Sequence, residues 1–181
     1  MAKTNIPSGV RPGLGQVAQL SIAQVDEGFL PLIEKSNDVS IQIGDKAFEF
    51  DARLAHIAQA INESKYILDL KDDWDDDGAS STDLKTYLKA VNFLVRYSKI
   101  ILEKYLQIID APLIDIMRDG SVSILGETDN ATFLIIFKKK DTEYSYFYGE
   151  EKRDKIPFNY AIKNEDDVNE ITALWMSQNL K

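Results

Sequence analysis

Five aspartates crowd one tryptophan in the stretch Lys71-Asp72-Asp73-Trp74-Asp75-Asp76-Asp77-Gly78, and carboxylates at that density suit only a few kinds of chemistry. One is cation binding. Asp73-x-Asp75-x-Asp77-Gly78 matches the first half of a helix-loop-helix calcium loop, where oxygens at alternate positions surround the ion and glycine permits the sharp turn. The second half does not match. The twelfth position, which should close the sphere with a bidentate carboxylate, is Leu84; the eighth is Ser80; Asp83 falls one place too early. Asp73, Asp75 and Asp77 are therefore candidate calcium or magnesium ligands that supply about half of the six to eight oxygens calcium takes. A metal-dependent hydrolase centred on residues 72–77 is the catalytic version of the same reading. The competing reading is structural: Trp74 drops its ring into the core, the aspartates face water, Gly78 takes a positive φ, and Asp83 complements the dipole of the following helix.

The rest of the chemical inventory is thin. The chain has one histidine, no cysteine, no glycine-rich phosphate loop and no nucleophile motif, so thiolate catalysis, cysteine zinc sites and disulfides are excluded. His56 lies beside an apolar stripe without an identifiable catalytic partner, which reads as structural. A second candidate surface is Tyr144-Ser145-Tyr146-Phe147-Tyr148. In a strand, Tyr144, Tyr146 and Tyr148 share one face, and tyrosines suit interfaces because they bury area while keeping a polar tip. The competing reading packs that face on a helix.

The elements that must position these groups follow from periodicity. Residues 1–15 read as a flexible arm, and Gln16 to Lys35 as partly helical. Residues 36–50 predict a β-hairpin, with Val39 to Ile43 alternating, Gly44-Asp45 turning and Phe48 to Phe50 alternating again. Leu54, Ile57, Ala58, Ile61 and Leu68 predict a helix capped by Asp51 and running to about Lys71; Leu84 through Tyr105 predicts a second, capped by Ser81 or Thr82. Leu113 to Met117 and Val122 to Leu125 predict a hairpin with a two-residue Asp119-Gly120 turn. Thr132 to Phe137 and Tyr144 to Tyr148 extend it to an antiparallel meander of about four strands. A polar loop and a final helix, capped near Asn164 with Val168, Ile171, Leu174 and Trp175 inward, close the chain. The expected class is α+β, a meander on two long helices plus a C-terminal helix, with residues 16–181 as one domain.

The 181-residue chain is 44% apolar, and its net charge is −9. That acidity argues against general nucleic-acid binding, which relies on clustered cations. It leaves room for a basic partner protein, or for mimicry of nucleic acid. Lys138-Lys139-Lys140 reads as a solvated turn. The N-terminal residues lack the apolar core a signal peptide needs and no later run approaches membrane-spanning length, so, with no cysteine, the expected location is the cytoplasm.

The pattern Leu70-x-x-x-Trp74-Asp75-x-x-Gly78-Ala79, a long helix, Pro112, Asp119-Gly120-Ser121 and the meander resembles a widespread group of uncharacterised bacterial proteins carrying a Trp-Asp-x-x-Gly-Ala signature. The resemblance covers about residues 66–150. Group members usually have asparagine before the tryptophan and proline soon after the alanine, where this chain has Asp73 and Ser80-Ser81. The resemblance implies no activity; members look like accessory genes near toxin and phage-defence systems. The expected function is a non-enzymatic protein-interaction module of antitoxin, immunity or phage-defence-accessory type, using an acidic or aromatic face, with the divalent-cation module as the alternative.

Overall fold

The computed structural model describes residues 38–140, 143–163 and 168–181. The N-terminal arm, the segment Gln16 to Lys35 and the cap near Asn164 lie outside these residues. The described residues belong to one compact unit, Lys35–Lys181.

The first hairpin forms as its alternation predicts. Strand β1 (Val39–Ile43) pairs antiparallel with β2 (Lys46–Phe50). Ile41, Ile43, Phe48 and Phe50 are buried on one face, and Gly44 turns at φ +58. Asp51 then accepts the Arg53 N–H, but it caps only a single 3₁₀ turn, Ala52–Leu54. The helix that follows is shorter than its stripe predicts: α1 is Ala55–Glu63, and the chain tightens into a 3₁₀ segment over Ser64–Asp69. Side chains end it. The Ile61 carbonyl, which a continuing helix would use for a backbone N–H four residues on, accepts from the Ser64 hydroxyl (2.9 Å) and the Tyr87 hydroxyl (2.9 Å).

Helix α2 (Leu84–Tyr105) is the long element at the centre. Its N-cap is Asp83, not Ser81 or Thr82; the Asp83 carboxylate accepts the Thr86 N–H at 2.7 Å. Leu88, Val91, Leu94, Val95, Ile101 and Leu102 are buried as the stripe requires, while Leu84 is exposed.

The meander has five strands where the sequence suggests about four: β3 (Leu113–Ile116), β4 (Val122–Glu127), β5 (Ala131–Phe137), β6 (Tyr144–Glu151) and β7 (Ile156–Lys163), in sequential antiparallel order. The fifth occupies the stretch read as a polar loop. Phe158, Tyr160 and Ile162 alternate on one side of it, and Pro157 is tolerated because β7 is an edge strand. The β3–β4 connection also differs from the two-residue turn. The Gly120 N–H donates to the Met117 carbonyl and the Met117 N–H to Ser121. Arg118 and Asp119 are thus the central residues, and Gly120 follows at φ +78, a three-residue loop of type I turn plus left-handed residue.

Helix α3 (Glu170–Asn179) is capped by Asn169, whose side chain accepts the Thr172 N–H at 2.9 Å. It is rotated from the expected setting: Ile171 is 57% and Leu174 42% exposed, whereas Thr172, Ala173, Trp175 and Met176 are buried. Trp175 sets that rotation. Its ring stacks on Phe158 (centroids 5.3 Å, 11°), meets Phe147 edge-on (5.5 Å, 76°) and lies over Gly149. The architecture is therefore α+β, with α2 and α3 on one face of the five-stranded sheet and the first hairpin and α1 packed around α2. No helix among the described residues is long and apolar enough to cross a membrane.

Candidate functional site

The acidic loop is organised by its own carboxylates. Asp73 (φ +68), Asp76 (φ +57) and Gly78 (φ +83) all take left-handed conformations. Aspartate tolerates these because its short side chain hydrogen-bonds nearby backbone. Asp73 Oδ1 accepts the Gly78 N–H at 2.8 Å, Asp75 Oδ1 accepts the N–H groups of Asp77 and Ala79 at 3.0 Å each, and Asp72 Oδ1 accepts the Ser81 N–H and hydroxyl at 2.8 Å each. The Ala79 N–H, opposed by partial desolvation and then aided by the Asp77 N–H and Arg118, holds the Asp75 carboxyl below the usual range. The Ser81 N–H and hydroxyl do the same for Asp72. Half-buried Trp74 packs on the core, and its indole N–H donates to the Ser80 carbonyl at 3.3 Å.

Sheet turns fasten the loop from outside. Arg118, in the β3–β4 turn, places Nε 2.9 Å from Asp75 Oδ2 and Nη2 2.6 Å from Asp77 Oδ2, and Nη2 also donates to the Asp77 carbonyl. The Ser80 N–H donates to the Arg118 carbonyl at 2.8 Å, and Lys139 Nζ to the Ser81 carbonyl at 2.7 Å. The structure thus brings Asp75, Asp77, Ser80 and Ser81 against Arg118 and Gly120 of the β3–β4 turn. Arg118 is the member that sequence reasoning passes over, since nothing local connects it to a carboxylate 41 residues earlier.

This arrangement bears on cation binding. Asp73 gives an oxygen to the Gly78 N–H while Asp75 and Asp77 both pair with Arg118, and among the described residues no group of three or more His, Asp or Glu is disposed to hold a metal. A ligand that binds only the native state must stabilise it. Thermal melts in EDTA, millimolar calcium and millimolar magnesium are expected to coincide. A rise of several degrees in either cation, lost in Asp75→Asn/Asp77→Asn, would contradict this expectation. His56 is tied into the fold as well: Nε2 lies 2.8 Å from the Ile109 carbonyl oxygen, an acceptor that calls for a ring N–H.

The tyrosine face has the opposite character. Ser145 and Phe147 of β6 point to the helices and are buried; Tyr144, Tyr146 and Tyr148 are 45, 56 and 47% exposed. The expectation that this face packs on a helix is not met. Strand register builds the surrounding surface in rows. Leu113, Leu125, Leu134, Tyr148 and Asn159 lie side by side across β3 to β7, and Asp115, Ser123, Ile136, Tyr146 and Ala161 form the next row. At one end stand Tyr144 and Lys163, with Lys138 beside them. At the other end stand Glu127, Thr132, Glu150 and Pro157. A shallow groove of about 470 Å³ runs along Ile136, Lys138, Glu143 and the three tyrosines. Leu113, Leu125, Leu134 and Ile136 were invisible as interface residues without the register, although their alternation on each strand placed them on one face.

Compared with models of known protein families, with curated proteins and with solved structures, the chain has no match in any of the three.

Proposed function

We propose that this chain is a non-enzymatic protein-interaction module that engages a protein through the open, tyrosine-bearing face of its sheet, in an accessory role of antitoxin, immunity or phage-defence type. One observation carries the reading. Two adjacent cross-strand rows place Leu113, Leu125, Leu134, Ile136, Tyr146 and Tyr148 on the face turned away from the helices. Leu113, Leu125, Tyr146 and Tyr148 are each more than two-fifths exposed. An antiparallel sheet ordinarily turns polar residues to water on its free face, and contiguous apolar patches of this kind mark protein contacts. Tyrosine adds area at low entropic cost and keeps a hydroxyl for the rim. The accessory role rests on the resemblance carried by Trp74-Asp75-x-x-Gly78-Ala79 and on the thin catalytic inventory. The acidic loop then serves as a rigid connector that holds α2 to the turns of the sheet.

The test separates binding from folding. Tyr146→Arg is expected to leave the unfolding free energy within about 0.5 kcal/mol of wild type, because the side chain makes few internal contacts. It should also abolish stoichiometric co-purification of the bound protein from the native host. Equal recovery by wild type and Tyr146→Arg would overturn the reading.

A further inference from the structure

Resting on that reading, we infer that the occupant of the open face is a second copy of the same chain, stacked sheet on sheet about a two-fold axis that crosses the strands. Such an axis keeps each strand over its own counterpart and reverses its direction. The row carrying Lys138, Tyr144 and Lys163 then lies over the partner copy's row of Glu127, Thr132, Glu150 and Pro157. The two central rows exchange in the same way.

Register makes the consequences specific. On β5, Lys138 stands over Thr132 of the second copy, flanked there by Glu127 on β4 and Glu150 on β6; on β7, Lys163 stands beside Glu150. Tyr146 meets Tyr148, Ile136 meets Leu134, and Ala161 meets Asn159. Lys138 and Lys163 therefore face Glu127 and Glu150 at both ends of the dimer, with Asp119 and Glu143 beside the lysines and Lys152 beside the glutamates. Ile136, Leu134, Tyr146 and Tyr148 meet in the middle, while Asp115 falls over Leu113 at the β3 edge. The other face-to-face two-fold axis, parallel to the strands, would set lysine over lysine and glutamate over glutamate. Antiparallel sheets pack with strand directions within about 30°, so the rows remain in reach of one another. The patch is about 20 Å on a side from strand and residue spacings, about 400 Å², smaller than the roughly 800 Å² per partner of a standard stable interface, so the dimer is a weak, concentration-dependent one. Within one chain Lys138 pairs with Asp119 (3.1 Å), Lys163 with Glu143 (3.4 Å) and Glu127 with Lys152 (2.8 Å). All are exposed pairs of the kind worth little individually, so exchanging them across an interface costs little.

Sedimentation equilibrium of the full chain over a range of concentrations tests the inference. The expected species is a dimer of twice 20.5 kDa. Glu150→Lys and Lys163→Glu alone should each raise the dissociation constant about tenfold or more, and Glu150→Lys/Lys163→Glu together should return it to within about threefold of wild type. Tyr146→Arg should be monomeric, with a melt that matches the wild type's at concentrations low enough to dissociate the wild-type dimer. A wild-type chain that is monomeric at every concentration overturns the inference, as does a dimer that neither charge reversal weakens or that the double reversal fails to restore. A monomeric wild type whose Tyr146→Arg variant loses a different bound protein would overturn the dimer and leave the interaction-module reading standing. A monomeric wild type that binds nothing would overturn both.

Discussion

Trp175→Ala is expected to destabilise the protein by about 3–5 kcal/mol, the cost of emptying a large aromatic site in a core that relaxes only in part. The ring is the main anchor of α3. On the helix-side face of the sheet, Gly126, Phe133, Gly149 and Phe158 lie in one cross-strand row, with glycines alternating with rings. The glycines leave space on the sheet that the aromatics fill. A Cβ on Gly149 would come within 2.6 Å of the Trp175 ring, and one on Gly126 within 1.8 Å of the Phe133 ring. Phe133 in turn stacks on Phe147 at 5.3 Å and 8°. Alanine at position 175 leaves Gly149 bare and removes both ring contacts of the helix, so the cavity is floored by backbone that cannot collapse inward. Urea unfolding followed by circular dichroism measures the loss. A change below about 1 kcal/mol, within the range of an ordinary surface substitution, would contradict this account of how α3 is held.

The second large effect is a contrast between two glycines of the acidic junction. Both take positive φ, Gly78 at +83 and Gly120 at +78. A Cβ at Gly78 meets nothing within 4 Å, whereas one at Gly120 would lie 2.3 Å from the Ser81 carbonyl oxygen. Gly78→Ala should therefore cost only the left-handed backbone penalty, about 1–2 kcal/mol. Gly120→Ala carries that penalty and also forces the loop backbone off the β3–β4 turn. The displacement strains the Ser80 to Arg118 hydrogen bond and the two ion pairs of Arg118. About 3 kcal/mol or more is the expected total, from backbone strain and broken hydrogen bonds together. Chemical denaturation of the two variants side by side provides the check. Equal losses would mean that the loop is not seated on Gly120.

Much of this fold was legible wherever short-range pattern and long-range packing agree. Gly44-Asp45 between two alternating runs is enough for the first hairpin, and the stripe from Leu88 to Leu102 is enough for α2. Legibility failed where a distant side chain overrules local periodicity. The stripe of α1 continues to Leu68, yet Tyr87, from the next helix, takes the Ile61 carbonyl and helps end the α-helix at Glu63. In α3 the apolar residues Ile171 and Leu174 stay exposed, because seating Trp175 on Gly149 decides which face turns inward. Strand β7 was legible in principle from Phe158, Tyr160 and Ile162, but Pro157 reads as a breaker unless the strand is known to be an edge. For the candidate sites, the aspartate spacing suggested ligands, while their actual partners are loop N–H groups and Arg118, which only the fold brings near. The three tyrosines were correctly grouped on one face. Whether that face met a helix or solvent depended on which side of the sheet α2 packs against.

The two surfaces thus divide the work. The acidic loop spends its carboxylates on local backbone and on Arg118, and so fixes the junction between α2 and the turns of the sheet. The face of the sheet turned away from the helices presents apolar rows with charged ends, and it is there that the proposed contact with another protein is made.

Hydroxyl-radical footprinting tests that claim most directly, because Ile171, on the outer side of α3, supplies an internal standard away from the open face: it is 57% exposed, beside Tyr146 at 56% and Tyr148 at 47%. The purified chain, diluted until it is monomeric, sets the reference ratio of tyrosine to Ile171 oxidation. In a lysate of the native host, oxidation of Tyr146 and Tyr148 should fall severalfold relative to Ile171, as burial at an interface requires. Unchanged ratios between the two samples would contradict the claim that the open face is where this protein binds.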